Sequence, residues 1–375
     1  MMSNPFRLIA SGLAIPIALA AAVAAQQPRI ENGAVIAQPA GSAFSQSLRA
    51  LVASQADVAW IGYAVPVSDR EQVMCCFNSG TTFINGTMSS ASACCGACAL
   101  ESSQAGTNIT SRNQTPSPSG VVKLEGADTM NVLFRIVERK VERIRVFSED
   151  CRLDLGGRPL RWLENVRPAD SIALLESLVG TEGDTKGRIV DGAITAIALH
   201  GDPAADSSLA RLVAPDQPEN VRKKVTFWLG NSRGRPGFDA LRRVMRDDPS
   251  VEVRKSAIFG FSQSRVPESL DALISTARSD AEPRLRGEAL FWLAQKAGQK
   301  VSATIVERID QDPDTDVKKK AVFALSQLPA SEGVPLLITV ARSNANLEVR
   351  KQAMFWLGQS KDPRATEFFA EVLRK

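Results

Sequence analysis

Val221, Val253, Leu285, Val317 and Val349 stand 32 residues apart, and Ile189 extends the series upstream at the same step. Phe227, Phe259, Phe291, Phe323 and Phe355 keep that step, as do Leu229, Phe261, Leu293, Leu325 and Leu357. So do the small residues Gly230, Ser262, Ala294, Ser326 and Gly358. Six units of one length, from Asp184 to Lys375, leave one economical architecture: short elements that stack on their neighbours into a solenoid. Within a unit, "VRKQAMFWLGQS" is apolar at Val349, Ala353, Met354 and Leu357, which is helix spacing. After a loop, a second segment such as "SLDALISTAR" puts Leu270, Leu273, Ile274 and Ala277 on one face. Two such helices cannot bury their apolar faces alone, and stacking supplies the continuous core. With helix layers about 8–10 Å apart, the six units predict a length of about 50–60 Å.

Two further columns accompany the repeat. Asp184, Asp216, Asp248, Asp280 and Asp312, with Asn344 completing them, precede helices whose second position is Arg222, Arg254, Arg286, Lys318 or Arg350. Asp and Asn are good N-caps, so capping is one expectation. A ladder cross-linking neighbouring units is the other, and spacing does not choose between them. The eighth helix position reads Ala196, Trp228, Gly260, Trp292, Ala324 and Trp356, small and large in turn. Adjacent indoles would collide in a tight stack, whereas Trp over Gly or Ala interdigitates. These Trp side chains are therefore expected in the core, not on a ligand-stacking stripe.

The pattern Asp-x-x-x-x-Val-Arg-x-x-Ala-x-x-x-Leu, as in "DPSVEVRKSAIFGF" and "NANLEVRKQAMFWL", resembles the short HEAT-like repeats also found in bilin-lyase-type proteins. The resemblance covers residues 184–375 and implies a superhelix whose second helices line a concave face that binds proteins or, less often, nucleic acid. The whole layout is similar to exported bacterial HEAT-repeat proteins. The first unit departs from the pattern, with Val190 where Arg and Thr195 where Phe are expected.

Upstream of the repeats the composition changes. Residues 1–25 carry one Arg, an uncharged apolar run from Leu8 to about Val23, and small residues at Ala22, Ala24 and Ala25, as in a secretory signal peptide cut near Ala24 or Ala25. Residues 26–56 are Ala-, Gln- and Ser-rich and are expected to be a flexible lead-in with at most a short helix near "FSQSLRALVAS". Residues 57–167 predict a small β-rich domain: "DVAWIGYAVPV" reads as a strand ending at Pro66, and "MNVLFRIVERKVERIRVFSED" as a hairpin turning near Glu138 to Lys140. Residues 168–183 predict a capping helix and loop. The expected fold is thus multidomain, a C-terminal all-α solenoid preceded by a small cysteine-rich, β-containing domain.

Six cysteines, Cys75, Cys76, Cys94, Cys95, Cys98 and Cys151, fall in that domain, and an even count in an exported chain suggests disulfides of unassigned pairing. Cys95 and Cys98 form a C-x-x-C, but no strand–helix unit precedes them as thiol–disulfide exchange would need. The chain holds 45 Lys+Arg against 41 Asp+Glu, one His and one Tyr, which is too little basic excess for a nucleic-acid partner and few groups for proton transfer. Arg242, Arg243, Arg246 and Arg278 give a candidate surface for an acidic partner. Further along, Ile274, Ser275, Val306, Glu307 and Asp310 interrupt it, so it is not a phosphate-tracking groove. His200 stands at a helix end with no clustered ligands and no catalytic duty. No P-loop, nucleophile elbow or zinc-protease motif is present. These features predict a non-catalytic, exported protein-binding scaffold, secreted or periplasmic, with no cofactor, no metal and no lasting membrane span. A lyase or thiol-redox enzyme using the repeats to hold a substrate is the alternative.

Overall fold

The computed structural model describes residues 28–69, 72–77, 98–101, 106–111, 128–180, 184 and 187–374. The signal segment, Cys94 and Cys95 lie outside the described residues.

Among the described residues, ten strands and two helices build the N-terminal region. They are β1 (Arg29–Glu31), β2 (Val35–Pro39), α1 (Phe44–Ser54), β3 (Ala59–Pro66), β4 (Gln72–Phe77), β5 (Cys98–Ala99), β6 (Gly106–Ser111), β7 (Thr129–Val137), β8 (Lys140–Ser148), β9 (Arg152–Asp154), β10 (Leu160–Glu164) and α2 (Pro168–Val179). A five-stranded mixed sheet of order β2-β10-β3-β7-β8 is central, with a small sheet β1-β9-β5 and a pair β4-β6 beside it. β7 and β8 join through Glu138 and Arg139, both at positive φ, the two-residue turn whose twist suits a hairpin.

The alternation along β7 sorts two cores. Met130, Val132, Phe134 and Ile136 face the helices, while Leu133 faces a second cluster with Trp60, Phe147, Cys98, Cys151 and Trp162. The described part of the expected lead-in 26–56, from residue 28 on, is not free. β1 pairs in parallel with β9, β2 pairs in parallel with β10, and α1 buries Phe44, Leu48 and Val52 at four-residue spacing. The Ala/Gln/Ser composition hides this because β1 and β2 gain their partners from residues more than 100 positions later in the chain.

Twelve helices follow as six pairs. The first helices of the units are α3 (Arg188–Leu199), α5 (Glu219–Ser232), α7 (Val251–Gln263), α9 (Pro283–Ala297), α11 (Thr315–Ser326) and α13 (Leu347–Gln359). The second helices are α4 (Ala204–Leu212), α6 (Gly234–Asp247), α8 (Glu268–Ser279), α10 (Ser302–Gln311), α12 (Ala330–Ser343) and α14 (Pro363–Leu373). Their apolar faces make one continuous core that also takes in the helix-facing side of the β-sheet. α3 lies on β8, where a Cβ at Gly192 would stand 2.4 Å from the Ile144 carbonyl oxygen, so only glycine permits the approach. The end of β3 is sewn to the same unit: Ser68 N–H donates to Leu199 and Gly201 N–H to Pro66. Sheet and solenoid therefore form one body.

Candidate functional site

Successive first helices pack along their length, whereas successive second helices meet only at a few residues. At α5 and α7 the backbones touch: a Cβ on Gly230 would lie 2.0 Å from the Gly260 carbonyl oxygen. A stack bends toward its more closely spaced row, so the first helices line the inner face. This reverses the expectation that the second helices do so.

On that face each first helix from α5 onward shows one three-residue pattern at four-residue spacing, which places its members in a line along the helix. The lines read Lys223-Phe227-Asn231, Lys255-Phe259-Gln263, Gly287-Phe291-Gln295, Lys319-Phe323-Gln327 and Lys351-Phe355-Gln359. Across the units they make a column of lysines, a column of phenylalanines and a column of side-chain amides. Three of the lysines meet carboxylates, Lys255 with Glu288 at 3.4 Å, Lys319 with Asp316 at 3.1 Å and Lys351 with Glu348 at 2.9 Å. Gln295 donates to Gln327 at 3.5 Å, linking two rungs of the amide column. The amide column keeps a 32-residue step as regular as that of the phenylalanines, and the lysine column keeps it except at Gly287, so both were open to sequence reasoning.

The aromatic column is continuous. Running Trp228, Phe227, Phe259, Trp292, Phe291, Phe323, Trp356, Phe355, each ring contacts the next at centroid distances from 4.6 to 5.8 Å. The expectation that Trp228, Trp292 and Trp356 lie in the core fails: all three are half-buried and rest against the core from its inner surface. Position eight lies at the edge of each helix's buried face. There Trp292 packs on Phe259, and Trp356 on Phe323, of the preceding unit. Phe355 is 54% exposed. A cleft of about 730 Å³ opens on this face, lined by Arg284, Lys319, Lys320, Phe323, Gln352 and Trp356 among others.

The Asp–Arg columns serve two purposes. Capping is borne out at Asp184, whose carboxylate accepts the Arg188, Ile189 and Val190 N–H groups at the start of α3; the later members of the column do not cap the first helices directly. Asp248, Asp280, Asp312 and Asn344 end the second helices, and each accepts the backbone N–H two residues on; Ser250, Asp314 and Asn346 are the caps. The inter-unit ladder forms at alternate seams. Arg222 grips Asp248 of the next unit at 2.9 and 3.1 Å, and Arg286 grips Asp312 at 2.8 Å through both nitrogens. Burial alone would raise the Asp312 carboxyl, but the Arg286 guanidinium holds it below the usual carboxylate range. Between these seams the ladder lapses: Arg254 stands 4.0 Å from Asp280, while Lys318 turns back to donate to the Asp310 carbonyl near the end of α10, in the preceding unit. Arg350 binds the Asn344 and Ala345 carbonyls, and Asp216 makes no ladder contact, since Val190 occupies the position of its partner arginine.

Cations from the following unit close two of the seams that lack a rung. Lys296 donates to the Ser262 and Ser264 carbonyls at the end of α7, and burial lowers its pKa. Arg233 likewise reaches the Ala198 and His200 carbonyls after α3. His200 itself is fully buried. Its Nδ1 accepts the Asp202 N–H at 3.2 Å, and burial pushes the imidazole down to about 4, so it is neutral at physiological pH.

Arg242, Arg243 and Arg246 are exposed on α6, in the outer row and away from the aromatic column. Arg246 pairs with Asp247 at 2.7 Å, and Arg278 on α8 pairs with Glu307 at 2.8 Å. Carboxylates thus compensate two of the four arginines. Cys75 and Cys76 fall on β4, opposite Asn108 and Thr107 of β6. Cys98 and Cys151 are buried in the second core and are disulfide-bonded. Among the described residues no cluster of three or more His, Cys, Asp or Glu could hold a metal, and no helix is long and apolar enough to cross a membrane.

Residues 209–294 and 302–375 match the family model for HEAT repeats. The solenoid is a HEAT-repeat solenoid. No curated protein matches the chain. Among solved structures, Kap121p is 12% identical over 50% of this chain and 25% of its own, with a TM-score of 0.34. Human deoxyhypusine hydroxylase is 15% identical over 56% of this chain and 80% of its own, with a TM-score of 0.30. The CpcE–CpcF complex of phycocyanin lyase from a Nostoc species is 18% identical over 55% of this chain and 81% of its own, with a TM-score of 0.29. The chain thus spans about a quarter of the length of Kap121p.

Proposed function

We propose that the protein is a non-catalytic, exported scaffold that binds a protein partner through the inner face of its HEAT repeats. The observation that carries this reading is the eight-ring aromatic column, which runs over five units on the concave side and stays half-open to solvent. Aromatic side chains supply large contact area at low entropic cost and are enriched where partners dock. Nucleic acid is a poorer fit, because the lysines beside the column meet carboxylates and leave little uncompensated charge for phosphates. What weighs against a thiol-based activity is that Cys98 and Cys151 are buried in the second core and do not titrate as free thiols.

Site-specific photo-crosslinking in the native cell tests the reading. A crosslinking residue at Phe259 is expected to capture a discrete protein, and one at Arg243 on the outer row to capture none. Capture from the outer position alone would overturn it. Export is tested separately by sequencing the mature N-terminus, expected just after Ala24 or Ala25.

A further inference from the structure

The proposed scaffold role leaves the form of the partner open, and the amide column narrows it. Asn231, Gln263, Gln295, Gln327 and Gln359 each lie one helical turn beyond an inner-face aromatic, and all are half-exposed or exposed. A side-chain amide carries both donor and acceptor. A row of amides is therefore best matched by a surface that alternates unpaired N–H and C=O groups. The backbone of an extended polypeptide has this property. A partner helix does not, because its backbone groups are paired within it.

The other two columns agree. The phenylalanine and tryptophan rings offer a floor for apolar side chains or proline rings. On the lysine side, the pairs with Glu288, Asp316 and Glu348 cancel much of the field. The cleft on this face is lined by three cations, Arg284, Lys319 and Lys320, and three carboxylates, Glu282, Asp314 and Asp316, so its net charge is near zero and a strongly acidic or basic segment gains little there.

From this we infer that the inner face binds an extended, uncharged segment of polypeptide. Its backbone is read by the Asn/Gln column, and its apolar side chains lie on the Phe/Trp column. The inference rests on the scaffold reading and goes beyond it by excluding a helix or a folded surface as the occupant.

An array of immobilised random 12-residue peptides, probed with the full-length exported protein, tests it. Expected hits are uncharged, apolar or proline-containing and without helical periodicity, and each should change the tryptophan fluorescence on titration in solution. Gln327→Ala with Gln359→Ala alters only exposed side chains, so folding is kept, and is expected to weaken the best peptide about tenfold. Phe259→Ser with Phe323→Ser is expected to abolish binding. Hits that are amphipathic helices or acidic runs would overturn the inference, as would amide variants that bind like wild type. If the array gives no hits while the crosslinker at Phe259 captures a folded protein, the inference fails and the scaffold reading stands. If both experiments are empty, both fail.

Discussion

The seam between the second and third units and the seam between the third and fourth draw on the same sequence columns yet close differently. At the former, Gly230 and Gly260 let two helix backbones touch, Phe227 and Phe259 stack at 21°, and Arg222 grips Asp248. At the latter, Trp292 is wedged against Phe259, the Arg254–Asp280 pair opens to 4.0 Å, and Lys296 ties off the end of α7. The fourth/fifth seam repeats the first kind, with Phe291 and Phe323 stacked at 5° and the Arg286–Asp312 pair formed. The fifth/sixth seam repeats the second, with Trp356 on Phe323 and Lys318 turned away. The structural period is therefore two units. Alternation of small and large residues at position eight follows from this, because an indole fits only where the seam is wide.

The largest effect expected separates the two ion pairs. Asp312→Ala strands a buried guanidinium and should cost about 3–5 kcal/mol, whereas Asp280→Ala, at a pair already 4.0 Å apart, should cost less than about 1 kcal/mol. Urea denaturation measures both, and equal losses would erase the distinction. The same pair sets an acid dependence. Because the folded carboxyl lies below its unfolded value, its stabilisation is complete above about pH 4 and is lost as pH falls through the folded value. Asp312→Asn should flatten that limb of the stability–pH curve.

Next comes the backbone contact. Gly230→Ala forces a methyl into the Gly260 carbonyl and should cost about 3 kcal/mol; Ser262→Ala, in the same column at the wide seam, should change stability by less than about 1 kcal/mol. A smaller loss, about 2 kcal/mol, is expected when the wedge is removed by Trp292→Ala. The reciprocal Ala324→Trp, at a fully buried position of a tight seam, should overpack it and show the poorer near-UV circular dichroism. The smallest effect is a gain. Lys318→Arg with Asn344→Asp supplies the two halves of a rung that the last seam lacks. A gain of about 0.5–1 kcal/mol would show that residue type limits it, and no gain would show that the wider spacing does.

The repeat itself was legible because a 32-residue step imposes local, periodic signals: the Val, Phe and Leu columns mark one helix and the "SLDALISTAR" type of segment the other. Which row turns inward was not legible. It depends on the spacing between units, and that is set by contacts such as Gly230 on Gly260, between residues that share no motif. Trp292 illustrates the limit. Its alternation with glycine and alanine was visible, but an indole at the border of a buried face can satisfy that alternation in the core or on the rim. The strands at Ile30 and Ile36 were missed for a simpler reason, since their partners in β9 and β10 come from far along the chain. The amide column could have been read, because Phe259 and Gln263 keep the same offset as Phe323 and Gln327.

The docking of α3 on β8 through Gly192 gives the array a polarity. The first unit is held from both sides, by the sheet and by the second unit. Unravelling in denaturant or under tension should therefore reach α3 late. Hydrogen exchange would show protection rising stepwise toward the anchored end.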